Sequence, residues 1–435
     1  MWLGVEEYYL STLLAGVAVL TTLRLFPKAA GRQASTALSL AFMGALLFFS
    51  CKASGLPGLV GIVAFPVGAA AVLSAHELLH EDKPLHDALT LALAGSLPLL
   101  AGSTDLIRIF VAWELMSICV LLLVGLHRER ESAEAVLKYL MLCGVGTAVA
   151  LTGIALAVFE TGSVGIESIA KASILSKALM LVGFSTEAAV FPLHFWLPDA
   201  HMVAPSTASA MLSGIVIESA AVLVYRLAGS DPVLSQLLLY LSIAGAFIGN
   251  LSALAQDDIK RMLAYSSIAN VSYIIMGLFS GDATAKAYAL LHIAAHGYLK
   301  AALFILSGVL LANYGTRKLS QLTGSLSSDN ILKFILVGCS IGLMGAPPLL
   351  PFWTELYIAV GLFNVNILLP LFFAICVILS FGYYFRLFYS LSQGAPKLST
   401  QAHGGYLLTK ISVVLLLLQN FLLFLFPSLL IGWLT

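Results

Sequence analysis

EAAVFPLHFWLPDAH, running from Glu187 to His201, places a carboxylate, two prolines and a polar turn inside a segment otherwise apolar enough to cross a membrane. It cannot form one uninterrupted spanning helix. Pro192 removes a backbone donor and clashes with the carbonyl four residues back, and Pro198 repeats both effects six residues later. In hydrocarbon, freed backbone groups are tolerated only where protein or a water-filled cavity surrounds them. A broken helix at membrane depth therefore points to an ion pathway. Glu187, just before the break, is a carboxylate whose burial is functional by default.

The rest of the chain supports the membrane setting. Of 435 residues, 60% are hydrophobic and 10% charged, and mean hydropathy is +0.98, outside the range of a soluble domain. Apolar runs of spanning length recur throughout, and no polar block is long enough to fold separately. The expected fold is all-α: a single polytopic membrane domain. The first run, Tyr8 to Phe26, follows two glutamates rather than a basic region and reads as a retained helix, not a signal peptide. Formal charge is zero, so nothing suggests nucleic acid. Cys51, Cys119, Cys143, Cys339 and Cys376 are scattered without CxxC spacing and read as packing residues. No Gly-rich nucleotide loop or cluster motif occurs, so no cofactor and no metal are expected.

Periodicity and breaks assign spans near 8–26, 34–50, 57–79, 87–102, 105–127, 134–159, 174–197 (broken), 204–228, 233–254, 259–280, 284–313, 331–361 (broken), 366–391 and 408–431, about fourteen in all. Loops on one side carry Arg24, Lys28, Arg32, Lys83, Arg128, Arg130, Lys138, Lys260, Arg261, Arg317, Lys318, Lys333, Arg386, Lys397 and Lys410; the other side holds Lys52, Arg108, Lys171, Lys177, Arg226 and Lys286. The positive-inside rule then puts both termini on the non-cytoplasmic side. A second break lies in GAPPLLPFWTEL, Gly345 to Leu356, where Pro347, Pro348 and Pro351 precede Glu355. Two interrupted spans five apart point to inverted repeats, each with an ion site. The expected division is 1–84 (three N-terminal helices), 85–230 (first repeat, spans four to eight), 231–392 (second repeat, spans nine to thirteen) and 393–435 (the last helix).

His292, His296 and Lys300 recur every four residues, drifting about 40° and climbing about 6 Å per step, so they form one polar stripe on a helix. Such a stripe is a proton wire in outline. The alternative is that the histidines bond neighbouring carbonyls and Lys300 snorkels to the surface. Glu114 lies deep in an apolar run and must be protonated, paired or hydrated. Asp199 and His201 read as turn formers, Asp199 through bonds to its own backbone. Asp257, Asp258, Lys260 and Arg261 read as a helix start with membrane-anchoring cations. HELLHEDKPLH, His76 to His86, has three histidines but no metal-ligand spacing.

Four stretches carry a family resemblance: WLPDAHMVAPSTASAMLSG (Trp196 to Gly214), DDIKRMLAYSSIANVSY (Asp257 to Tyr273), HIAAHGYLKAALF (His292 to Phe304) and KYLMLCGVG (Lys138 to Gly146). Together they resemble the antiporter-like membrane subunits shared by respiratory complex I, Mrp-type sodium/proton antiporters and energy-converting membrane-bound hydrogenases. The likeness runs from about Leu85 to Phe385, and APSTASAMLSG is closer to the Mrp and hydrogenase branch. It implies fourteen helices, two inverted five-helix repeats with a half-channel in each, and a central polar axis. Carried over by motif, Glu114 corresponds to the family glutamate on the fifth helix. His292, His296 and Lys300 correspond to the central relay, and Glu355 to the charged residue on the broken twelfth helix. Glu187 and Glu218 stand where the family usually has lysine, and Asn270 where many relatives carry histidine.

The resemblance implies that Glu114 and Glu187 face one another. Such carboxylates can share a proton, share a cation such as sodium, or mark a half-channel kept only for structure. The leading expectation is a proton- or sodium-translocating subunit of a multisubunit membrane redox complex, coupling electron transfer in partner subunits to ion movement and carrying no catalytic chemistry of its own. Its expected partners are other membrane subunits, a peripheral redox arm and the lipid bilayer, in a prokaryotic inner or plasma membrane. The alternatives are a stand-alone cation/proton antiporter and a non-conducting scaffold subunit, for which the two missing lysines argue.

Overall fold

The computed structural model describes residues 6–26, 28–127, 129–228, 231–395, 398 and 405–434. Arg128 and Lys397, part of the charge bias above, lie outside the described residues. Every regular element among the described residues is helical. In chain order these are α1 (Glu6–Thr22), α2 (Lys28–Ala53), α3 (Gly55–Leu78), α4 (Lys83–Gly102), α5 (Leu106–Val124) and α6 (Arg130–Thr161). Then come α7a (Ile174–Glu187), α7b (Trp196–Val203), α8 (Ser206–Ala228), α9 (Pro232–Ala255), α10 (Ile259–Leu278) and α11 (Ala283–Tyr314). The chain closes with α12a (Asn330–Leu343), α12b (Pro351–Phe363), α13 (Leu368–Ser392), α14 (Leu407–Leu425) and the short α15 (Ser428–Leu434).

Length and composition qualify 11 of the described helices as membrane-crossing, against an expected fourteen. The other three expected spans are α10, which carries Lys260, Arg261, Asn270 and several serines, and the two broken helices, whose halves are individually short. The apolar rims of α5, α6 and α13 point outward, with Val111, Phe159 and Ile378 among their exposed side chains. That is the surface of an integral membrane protein, where lipid rather than water meets the bundle.

Acidic residues outside the spans start helices. Asp105, Asp231, Asp258, Asp282 and Asp329 each precede a helix and accept from backbone N–H groups of its first turn. These groups otherwise lack an intrahelical acceptor. Two internal π segments, Leu140–Gly144 in α6 and Leu212–Val216 in α8, interrupt otherwise regular helices. Neither was legible in the sequence, since no proline or glycine pair marks them.

Both expected breaks are present. α7a stops at Glu187, Ala189 adopts a positive φ of 51°, and the Phe191–Pro192 bond is cis. The Trp196 indole N–H donates to the Thr186 carbonyl at 2.8 Å, replacing the helical bond that the break removes. At the second break Gly345 takes φ 72°, and the Pro347–Pro348 bond is cis. Leu350 N–H donates to Asn420 Oδ1 on α14 at 3.0 Å, while the Asn420 amide donates to the Ala295 carbonyl on α11 at 2.8 Å.

The 32-residue α11 runs through the centre, its middle wholly enclosed by α3, α8, α10, α12b and α14. Small residues permit the closest crossings. A Cβ on Gly297 of α11 would sit 2.3 Å from the Gly214 carbonyl oxygen of α8, and one on Gly183 of α7a would sit 2.4 Å from the Gly146 carbonyl of α6. Small-residue contacts of this kind are how helices approach in lipid.

Several expectations need correction. Lys83 and Lys260 were read as surface cations, yet each is 1% exposed. Lys83 is paired with Asp87, and Lys260 donates to the Ala204 carbonyl at 2.5 Å. Helix starts can draw a lysine inward when a carboxylate or carbonyl waits there. Asp199 does not bond its own turn; it lies in the first turn of α7b and meets Lys138 at 2.9 Å and Arg261 at 3.9 Å. Cys51 is exposed, while the other four cysteines are buried.

Candidate ion-translocation site

α11 carries the centre of the site. His292, His296 and Lys300 are fully buried, so the snorkelling alternative for Lys300 does not hold. The two imidazoles stack at 6.3 Å between centroids. His296 Nδ1 lies 2.5 Å from Glu218 Oε1 on α8, which supplies the partner that the sequence could not name. His292 lies 2.7 Å from Thr354 Oγ1 on α12b and 3.1 Å from Asn270 Oδ1 on α10. Lys300 donates to the Leu263 carbonyl at 2.7 Å and to the Ser266 hydroxyl. The ring of Tyr384 lies 5.7 Å from its ammonium.

Glu218 follows the π segment of α8, whose extra residue per turn offsets the face on which the carboxylate emerges. Its second oxygen, Oε2, and His296 Nε2 are buried without a protein partner. Buried polar atoms of this kind are costly unless water or a proton reaches them. Upstream on the same helix Ser213 lies 2.6 Å from Ser267, and Ser267 donates to the Leu263 carbonyl that also receives Lys300. α8, α10 and α11 therefore meet in one polar row.

The first break holds a separate cluster. Glu187 is 1% exposed, and the Tyr139 hydroxyl of α6 donates to its Oε1 at 2.5 Å. Tyr139 in turn lies 2.8 Å from the Ser117 hydroxyl of α5. Glu187 Oε2 is buried without a partner. Glu114 is only half-buried, and among the described residues no hydrogen bond joins it to Glu187. Glu187 thus bonds a phenol with a serine behind it, and Glu114 stands near enough to act on it electrostatically without a hydrogen bond. Tyr139 was missed, although it follows Lys138 in the KYLMLCGVG stretch and opens the apolar run there. Trp113 and Trp196 seal this cluster, the first edge-on to Phe184 at 4.6 Å and the second to Tyr139 at 5.0 Å.

At the second break Glu355 is 6% exposed and folds back over Gly345, where an added Cβ would meet its Oε2 at 2.1 Å. Thr354, its neighbour in the PFWTEL stretch, is the group that reaches His292. The proline residues Pro192, Pro198, Pro347, Pro348 and Pro351 act through backbone geometry: Pro198 lies in the first turn of α7b and Pro351 opens α12b. His201, read as a turn former, is fully buried; it stacks on Phe304 at 4.5 Å, and neither ring nitrogen has a partner. No group of three or more His, Cys, Asp or Glu that could hold a metal occurs among the described residues.

A helical membrane bundle with two proline-broken helices and a buried acid–imidazole contact between them defines an antiporter-like membrane subunit. The chain belongs to the family described as NADH:quinone oxidoreductase/Mrp antiporter, TM, whose model matches residues 103–381. It is 32% identical over 328 residues to NADH-quinone oxidoreductase subunit N of Desulforudis audaxviator (strain MP104C), covering 70% of this chain and 64% of that protein. It is 31% identical over 317 residues to the Hydrogenase-4 component F homolog of Methylacidiphilum infernorum (isolate V4), covering 68% and 67%. The chain therefore spans about two thirds of the length of these relatives, and the two branches match almost equally. A chain in the structure of respiratory complex I from Thermus thermophilus superposes with a TM-score of 0.82 at 25% identity, over 98% of both chains.

Proposed function

We propose that this subunit moves protons within a multisubunit membrane redox complex of the complex I, Mrp or hydrogenase kind, driven by electron transfer in partner subunits. Support comes first from the buried Glu218–His296 contact at 2.5 Å, continued by the stacked His292. An imidazole facing a carboxylate passes protons, whereas sodium prefers a shell of oxygens. The partners would be further membrane subunits and a peripheral redox arm. The membrane would be a prokaryotic inner or plasma membrane, and the charge bias of the loops, Lys83 and Lys260 apart, supports both termini on its non-cytoplasmic side. The placement of the two breaks supports repeats at 85–230 and 231–392, flanked by 1–84 and 393–435.

The test is gentle extraction followed by reconstitution. The expected result is a stable assembly with iron–sulfur or flavin subunits that acidifies vesicles on reduction, without a sodium requirement. Ion exchange by the isolated chain would instead establish a stand-alone antiporter. An assembly whose pumping is untouched by loss of the central relay would establish a scaffold.

Glu187 carries the first half-channel in this reading. Glu187→Gln keeps the shape and an acceptor for Tyr139 but cannot exchange a proton. It is expected to leave the helices inserted and to lower pumping severalfold. Infrared difference spectra should lose one carboxyl C=O band in the same variant. Unaltered pumping and an unaltered carboxyl region would assign the Tyr139–Glu187 contact to structure alone.

Glu355 and Asp199 separate transport from folding. Glu355 sits inside a broken span against the Gly345 turn, whereas Asp199 ties α7b to Lys138 and Arg261 near the surface. Glu355→Gln is expected to cut pumping at normal protein yield. Asp199→Asn is expected to lower yield modestly, as the loss of a solvent-screened ion pair does, with pumping per molecule unchanged. The reverse pattern, measured by immunoblot and vesicle acidification, would exchange the two roles.

A further inference from the structure

A second buried charged cluster lies away from the central axis, and the translocation reading does not use it. Lys83, His86 and Asp87 open α4, and all three are at most 1% exposed. Asp87 Oδ2 accepts from the Ser35 hydroxyl of α2 at 2.6 Å and from Lys83, while its Oδ1 lies 3.1 Å from His86 Nδ1. His86 Nε2 lies 2.8 Å from Thr207 Oγ1, in the first turn of α8. Both nitrogens of a fully buried imidazole are therefore engaged, one by a carboxylate and the other by a hydroxyl that can donate or accept.

That inventory accommodates two protonation states without moving a heavy atom. Neutral His86 donates from Nδ1 to Asp87 and accepts the Thr207 proton at Nε2. The imidazolium donates from both nitrogens, and the Thr207 hydroxyl rotates to accept. Lys83 and Asp87 cancel one another, so the cluster alternates between neutral and singly positive.

Access is also present. Lys83 lines a cavity of about 350 Å3 together with the cationic Arg24 and Arg32, the acidic Glu81 and Asp82, and His80. Thr207 lines another, of about 220 Å3, shared with His127 and Ser206. The Lys83–Asp87–His86–Thr207 chain thus bridges two openings. Other groups facing it are Arg32, which donates to the Leu79, His80 and His76 carbonyls, and His76, 3.2 Å from Thr36. His127 beyond α5 and Lys260 at the start of α10 act on the same region. Thr207 stands about 16 Å before Glu218 along α8, with Ser213 between them bonded to Ser267.

We propose that Lys83, His86 and Asp87 form a second proton-binding site at the N-terminal end of α8, with His86 the group that takes the proton. The site binds a proton and nothing larger, since each side-chain nitrogen and oxygen in it already has a hydrogen-bond partner. It goes beyond the pumping reading, and its readout is bound protons rather than transport.

The test uses the full chain, carrying isotopically labelled histidine, in lipid vesicles. Infrared difference spectra between about pH 5 and pH 8 report each histidine that titrates. His86→Gln is expected to remove one imidazole-to-imidazolium band pair that His292→Gln retains. Unchanged histidine bands in His86→Gln would overturn the proposal. Should that variant fail to insert, Thr207→Val serves: it keeps shape but removes the acceptor that the imidazolium uses. Because hydrogen bonds to a charged group are the stronger ones, the imidazolium member of the same band pair is expected to change frequency when its acceptor is removed. Histidine bands identical to those of the unmodified chain would overturn the proposal equally.

Discussion

Replacing Glu218 with Gln or His296 with Ala is expected to leave the subunit assembled and to reduce ion translocation on the order of a hundredfold, the scale of a lost positioned acid–base group. The two side chains meet at 2.5 Å inside a wholly buried stretch of α8 and α11. Glu218→Gln retains size and one acceptor oxygen but gives His296 no titratable partner. His296→Ala opens a gap on both sides, since His292 lies 6.3 Å away in one direction and Lys300 one helical turn away in the other. A single ordered water bridges such a gap poorly. Lys300→Ala should behave similarly, because its ammonium is fixed by Leu263 and Ser266 and has no route to the surface. The measurement is vesicle acidification per assembled complex. Normal rates in Glu218→Gln and His296→Ala, with assembly confirmed by native gel, would move the proton path out of α11 altogether.

The second large effect is expected from a residue with no chemistry. Gly297 neighbours His296, and its missing side chain allows α11 to rest on the Gly214 carbonyl of α8. A methyl group there would lie 2.3 Å from that oxygen and 3.0 Å from Val63. The backbone carbonyl cannot rotate away, so α8 and α11 must separate by about 1 Å, at a cost of roughly 1–3 kcal/mol. Gly297→Ala is expected to insert, to lose the Glu218–His296 contact and with it most pumping. Gly297→Val is expected to fall below detection in the membrane. Gly44→Ala is the control, because nothing lies within 4 Å of a Cβ at that site. Equal expression and pumping in all three would show that the crossing of α8 and α11 tolerates a looser fit.

The carboxylates at Glu187 and Glu218 gain a different meaning from their surroundings. By the family resemblance each stands where lysine is usual, which from sequence alone kept a silent scaffold open as an alternative to the leading pump reading. In the structure each has a hydrogen-bond donor or imidazole beside it, although Glu114 also acts on Glu187. Glu187 has a phenol donor and Glu218 has an imidazole, so both occupy hydrogen bonds through which a proton can pass. The single measurement that separates a working first half-channel from a structural one remains the response of pumping to Glu187→Gln.

Much was legible in the chain itself. Hydropathy fixed an all-helical membrane protein because lipid leaves the backbone few alternatives to helices. Prolines located both breaks, because a missing N–H and a ring clash act within four residues of sequence. The fourfold spacing of His292, His296 and Lys300 put them on one face of a helix for the same local reason. Which groups meet across helices was another matter. Glu218 and His296 are 78 residues apart, Tyr139 and Glu187 are 48 apart, and His86 reaches Thr207 over 121. Those contacts depend on the close crossing at Gly214 and Gly297, on the rotation that the π segment gives α8, and on a carboxylate that draws Lys83 inward from its helix start. They are decided by packing between elements rather than by periodicity within one. The tertiary structure alone therefore decided which acid faces which base.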